Sequence, residues 1–144
     1  MFLMERLHEI FPGAECWSDS NHTRAPAAQG SYLLVIDLDE PISATLARRA
    51  IVILGGRYFY AGSARGSGGI RGRLSHHFRR DKKTHWHVDQ LTLAAGQLHA
   101  LSFPGLTECE LVDRLVGAAA TIPHPGFGSS DCKSCKSHLL QLPT

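Results

Sequence analysis

Residues 31–38 read SYLLVIDL, β-branched and apolar on both faces at the centre. Such a run is a buried strand, and it needs a sheet around it. Asp39-Glu40-Pro41 turns the chain after it. Ile42 to Ile53 admits either a short helix or a strand, with Ile51-Val52-Ile53 favouring strand. Leu54-Gly55-Gly56 is a second turn, and Arg57 to Ala61 (RYFYA) is the next strand. Strands joined by turns point to an antiparallel arrangement.

The remaining elements are read by the same periodicities. Met1 to Ile10 has loosely helical apolar spacing but is too short to stand without packing. Gly13 to Gln29 is rich in Ser, Asn, Thr, Pro and Ala and reads as loop, so residues 1–29 form an N-terminal extension and 30–144 one domain. Gly62 to Gly69 is a flexible loop. Ile70, Leu74 and Phe78 recur every four residues and mark one face of a helix, while Arg73 and His77 share a second. Thr84 to Leu93 (THWHVDQLTL) alternates as a strand, placing His85, His87 and Asp89 on one side and Trp86 and Val88 on the other. Thr107 is placed to cap a helix from Glu108 to Ala119, with Leu111, Leu115 and Ala118 inward. Ser130 to Leu140 ends the chain in a short strand or turn.

No apolar run reaches the ~20 residues of a membrane span, and the N-terminus lacks the basic start of a signal peptide. Cysteines at 16, 109, 132 and 135 do not form the pattern of a disulfide framework, so a reducing cytoplasm is expected. Net charge is only +2, but its distribution is uneven. Seven of the 15 cations (Arg65, Arg71, Arg73, Arg79, Arg80, Lys82, Lys83) lie within residues 65–83, against one acid, Asp81. That density suits a phosphate backbone.

Four constellations carry chemistry. GSARGSGG precedes a helix, where anions often bind, yet it has neither the Lys-Ser/Thr of a P-loop nor GxGxxG spacing. His85, His87 and Asp89 on one strand face converge well enough to hold a metal or to line a polar cleft. Cys132-x-x-Cys135-x-x-His138 has the spacing of a zinc knuckle, with Cys109 as the other thiol nearby in sequence. Tyr32, Tyr60, Arg73, His77 and Glu108 could supply the base, cation and metal ligand of phosphodiester hydrolysis, although each singly has a structural explanation.

In order along the chain, these residues resemble the GIY-YIG nuclease superfamily. Gly30-Ser31-Tyr32 and Tyr60-Ala61-Gly62 stand at its two tripeptides, and GSARGSGGIRGRLSHHFR is similar to the loop and helix that follow, with Arg73 at its arginine. YAGSA, HWHVD, ECEL and FGSSDC…C…SHL together resemble a small branch of that superfamily, found alone or attached to repair enzymes of the endonuclease III type. The resemblance runs from Gly30 to about Leu140 and implies an α+β fold (an α/β sandwich) with a small central antiparallel sheet flanked by helices. It also implies metal-dependent hydrolysis of DNA phosphodiesters. Glu108 would hold Mg²⁺ or Mn²⁺, with Glu110 in reserve; Arg73 would neutralise the phosphate, and Tyr32 would act on water with Tyr60 and His77 in support. A phenolate at Tyr32 requires positive charge beside it, since a phenol ordinarily titrates near ~10. Arg65, Arg71, Arg79, Arg80, Lys82 and Lys83 are the expected DNA contacts. One departure stands out: where the superfamily commonly has Pro-x-x-x-Asn, Pro125 is followed by Gly, Phe, Gly and Ser, and Ser130 or Asp131 is the expected replacement.

The expected activity is therefore a metal-dependent endonuclease acting on DNA, in repair. Two alternatives stay open: a catalytically silent nucleic-acid-binding module of the same fold, and a zinc protein using Cys132, Cys135 and His138.

Overall fold

The computed structural model describes residues 2–128 and 135–143. Five strands form one antiparallel sheet: β1 (Glu15–Trp17), β2 (Gly30–Leu38), β5 (Gly56–Ala64), β6 (Gln97–Pro104) and β7 (Leu139–Leu140), in the order β1-β6-β2-β5-β7. The apolar run of the sequence is β2, the central strand. Paired on both edges by β5 and β6, it keeps residues 31–36 buried.

Alternation along β2 builds two cores. Tyr32, Leu34 and Ile36 join Ile70, Leu74 and Phe78 of α2 (Gly69–Phe78) and Leu91 of α3 (Asp89–Ala94) on one face. Leu33 and Val35 meet Leu7 of α1 (Phe2–Ile10), Phe11 and Leu111, Val112 and Leu115 of α4 (Glu108–Gly117) on the other. Each fully buried Leu or Ile contributes ~1.5–3 kcal/mol. The result is a mixed α+β sandwich with helices on both faces of an antiparallel sheet, as expected. Among the described residues, no helix is long and apolar enough to cross a membrane.

The ambiguous segment 42–53 is a hairpin of β3 (Ile42–Leu46) and β4 (Arg49–Ile53). Its two-residue turn has positive φ at both Ala47 (51°) and Arg48 (65°), matching the twist of the strands. Gly30 opens β2 at φ 155°, and a Cβ there would meet the Phe103 carbonyl at 2.5 Å. Glycine is required at that point for both reasons.

Four segments differ from the sequence reading. Residues 62–64, read as the start of a loop, continue β5 and pair with residues 30–32 of β2. Residues 84–93 are not a strand: 84–88 are irregular and lead into α3. The cause is Asp89, whose Oδ2 accepts the backbone N–H of His85 (2.8 Å) and of Trp86 (2.9 Å) and folds the chain back on itself. Residues 97–104, which the sequence pattern leaves unassigned, form β6 and pair with both β1 and β2. Within the expected loop 13–29, residues 15–17 add the edge strand β1, held by Trp17 Nε1 donating to Ser102 Oγ at 2.9 Å.

Candidate functional site

The end of β2 and β5 that carries Tyr32 and Tyr60 opens into a cleft of about 330 Å³. Its walls come from five places: Tyr32 on β2, Tyr60 and Ser63 on β5, Arg73 on α2, His85, Trp86 and His87 before α3, and Glu108 at the first turn of α4, with Gly128 and His138 closing it.

Local structure explains how each side chain arrives. Tyr32 pairs across the ladder with Gly62, and a Cβ on Gly62 would overlap the Tyr32 ring. The glycine of the second tripeptide therefore makes room for the tyrosine of the first. Gly128 does the same for Tyr60, whose Cε1 would lie 2.7 Å from an added Cβ. Arg73 is held over the Trp86 ring, its Cζ 4.7 Å from the centroid. That cation–π contact keeps a guanidinium at the wall without neutralising it. Glu108 is set by the cap of α4. Thr107 Oγ1 accepts from Glu110 N (3.2 Å), and Glu110 Oε2 accepts from Thr107 N (3.1 Å), a reciprocal capping box. Glu110 is thus occupied at the helix end, which leaves Glu108 as the carboxylate of the cleft.

Behind the cleft runs a buried polar line. Tyr32 Oη stands 2.7 Å from His77 Nε2, and His77 Nδ1 faces Asp89 Oδ1 at 3.9 Å. Both His77 and Asp89 are fully buried, so neither lines the cleft. Burial, then the nearby Lys82 and His76, depress the His77 pKa to about 3, and the imidazole is neutral. Burial works to raise Asp89, but the N–H groups of Trp86 and His85 and the His76 ring outweigh it and hold the carboxyl below its ordinary range. Among the described residues His77 Nδ1 makes no hydrogen bond, and the neutral tautomer with its proton on Nδ1 leaves Nε2 to accept from the phenol. Burial, then Tyr60, push the Tyr32 pKa well above 10 despite the opposing pull of Arg73. Tyr60 is raised for the same first reason, with Glu108 adding to it. Both tyrosines are neutral phenols here, and the Arg73 charge alone does not offset the desolvation of Tyr32.

The basic stretch divides in two. The Lys82 side chain is buried, its Nζ donating to the carbonyls of His76 (3.1 Å) and His77 (2.9 Å) and to Thr92 Oγ1 (2.8 Å), which closes the C-terminus of α2. Arg80 Nη1 bonds the carbonyls of Thr92 and Ala95, Arg71 Nε bonds Ala25, and Arg79 pairs with Asp81 at 3.4 Å. Arg71, Arg79 and Arg80 are exposed but make these bonds, while Arg65 and Lys83 are exposed with no side-chain bond among the described residues. At the start of α2 the N–H groups of Ile70 and Arg71 are already taken, donating to the carbonyls of Ala28 and Pro26.

The cleft thus gathers Tyr32, Tyr60, Arg73, Glu108, His85 and His87, while His77 and Asp89 stand behind it. Ser63, Trp86, Gly128 and the cleft-lining role of His138 are not anticipated by the sequence reading. Ser63 and Trp86 adjoin motif residues, a signal that could have included them. Cys135 and His138 come together with Cys109, while Ser130, Asp131 and Cys132 lie outside the described residues.

The family model described as Domain of unknown function DUF123 matches residues 31–144, and the chain belongs to this family. Neither the curated proteins nor the solved structures compared with the chain include a match.

Proposed function

We propose that this DUF123 member is a metal-dependent DNA endonuclease of the GIY-YIG type. The single observation that carries the reading is the convergence of Tyr32, Tyr60, Arg73 and Glu108 on one cleft from β2, β5, α2 and α4. Elements far apart in sequence have no structural need to deliver two phenols, a guanidinium and a carboxylate to the same wall.

The donor set fits a hard divalent ion. Glu108 is the carboxylate among the described cleft residues, and one carboxylate completed by water and substrate oxygens is how Mg²⁺ is ordinarily held. When bound, such an ion supplies positive charge to the phosphate and its leaving oxygen.

The chain's own groups do the rest. The Arg73 guanidinium, held on Trp86, faces the non-bridging oxygens and stabilises the charge that grows on them. The Tyr32 hydroxyl directs its proton to His77 Nε2, so its lone pairs are free toward the cleft to accept a hydrogen bond from the attacking water. His77 positions that phenol. Its depressed pKa keeps the imidazole neutral and so able to accept through Nε2. Tyr60, a neutral phenol on the facing strand, is a donor to the phosphate. Arg65 and Lys83 hold the flanking backbone.

The test is cleavage of nicked, branched and flapped DNA with Mg²⁺ or Mn²⁺, comparing the wild type with Glu108→Ala and Arg73→Ala. Cleavage lost in both variants supports the reading. Salt-dependent binding without cleavage of any substrate replaces it with a silent binding module.

A further inference from the structure

Beside the cleft, outside the set of hydrolytic residues, lies a second group of ligands. Cys109, Cys135 and His138 each place one donor atom within 4.8 Å of the others. The two Sγ atoms are 3.1 Å apart, too long for a sulfur–sulfur bond of ~2.05 Å. Two thiolates sharing a tetrahedral zinc at ~2.3 Å would stand roughly 3.7 Å apart, so a small separation of the sulfurs admits the ion.

His138 is the independent observation. It is 2 % exposed, and among the described residues neither ring nitrogen has a hydrogen-bond partner. A buried imidazole in that state is costly. A metal satisfies one nitrogen. A histidine that gives one nitrogen to a metal ordinarily turns its other N–H to a carboxylate, and Glu108 Oε2 lies 3.5 Å from Nδ1.

We propose that Cys109, Cys135 and His138 hold a zinc ion that joins the start of α4 to the C-terminal segment, with water completing the fourth tetrahedral position. Two thiolates and an imidazole select zinc over Mg²⁺ or Mn²⁺. β7 is two residues long, and backbone bonds to Thr121, Gly126 and Phe127 also hold the segment, so zinc would add a side-chain link from it to α4. The His138 carbonyl also accepts from Ala61 N at 2.9 Å, within the second tyrosine tripeptide. Zinc on His138 therefore ties Glu108 on α4 and Tyr60 on β5 to one anchor.

The experiment uses the full chain purified without chelator. Elemental analysis should find about one zinc per chain, and cobalt exchange should give the thiolate charge-transfer and tetrahedral visible bands. Cys109→Ser should remove most of the bound metal and these bands, whereas Glu108→Gln should keep both. Should Cys109→Ser fail to fold, the wild type answers by itself, with chelator releasing zinc and lowering its Tm by several degrees. Metal well below one per chain, freely reactive Cys109 and Cys135 thiols, or a Cys109–Cys135 disulfide overturns the proposal. Zinc content is read without any cleavage assay, so it stands or falls separately from the nuclease reading.

Discussion

Tyr32 and Gly62 are opposite one another in the β2–β5 ladder, and the Tyr32 ring fills the space a Cβ at Gly62 would need. The two tripeptides are thereby one packing unit, with the glycine of one serving the phenol of the other. Gly62→Ala should destabilise the fold by about 1–3 kcal/mol, the usual cost of overpacking. In a Tyr32→Ala background the same change should cost little, with cleavage still lost, since the colliding ring is gone along with its hydroxyl. Denaturant unfolding of the two single variants and the double variant measures the coupling. Additive effects at such close neighbours contradict this relationship.

His77 makes acid stability readable. Its pKa falls from 6.5 to about 3 on folding, so between those values the unfolded chain binds a proton that the folded one does not. Stability therefore declines as pH drops through this window, with a slope of up to ~1.4 kcal/mol per pH unit for the single proton. Asp89, held below 3.8 in the fold, adds a loss as pH falls through its own lower value. His77→Asn should flatten the curve between pH 6.5 and about 3. An unchanged slope in that variant means the imidazole titrates normally in the folded protein.

Much of this site is legible in the sequence because its residues lie on elements with clear periodicity. Ile70, Leu74 and Phe78 are all buried as their spacing demands, and the helix they define carries Arg73 to the cleft. Thr107 caps α4 as a residue of its type should, which fixes Glu108. What is hidden depends on side chains acting across sequence. Alternation in THWHVDQLTL imitates a strand until Asp89 reaches back to two N–H groups. Lys82 looks like a phosphate contact, yet it closes the end of the very helix that precedes it. Cys109 and Cys135 are 26 residues apart, a distance at which spacing carries no signal.

The cap of α4 offers a separate test. Thr107→Ala removes the acceptor for Glu110 N and should cost about 1 kcal/mol of stability. Because Glu108 is the next residue, the same change should lower cleavage well beyond what the lost stability explains at a temperature where the variant stays folded. Activity equal to the wild type there would separate the cap from the site.

Division of the basic stretch predicts unequal salt effects. Arg65→Ala and Lys83→Ala should each reduce the slope of log affinity for DNA against log salt by up to about 0.9, as expected for a lost phosphate contact. Lys82→Met should leave the slope as it is and destabilise the fold by about 1–3 kcal/mol, since it strips buried carbonyls and Asp89 of their partner. A fall in slope on removing Lys82 would mean it faces DNA after all.

The most direct measurement places binding and cleavage side by side on the same labelled DNA with Mg²⁺, for the wild type and Glu108→Gln. The account predicts single-turnover cleavage by the wild type. In Glu108→Gln it predicts cleavage at least about 10²-fold slower, the scale of losing one charge-stabilising group, with binding retained or tightened. Equal cleavage rates in the two proteins, or no cleavage by the wild type of any DNA it binds, would contradict it.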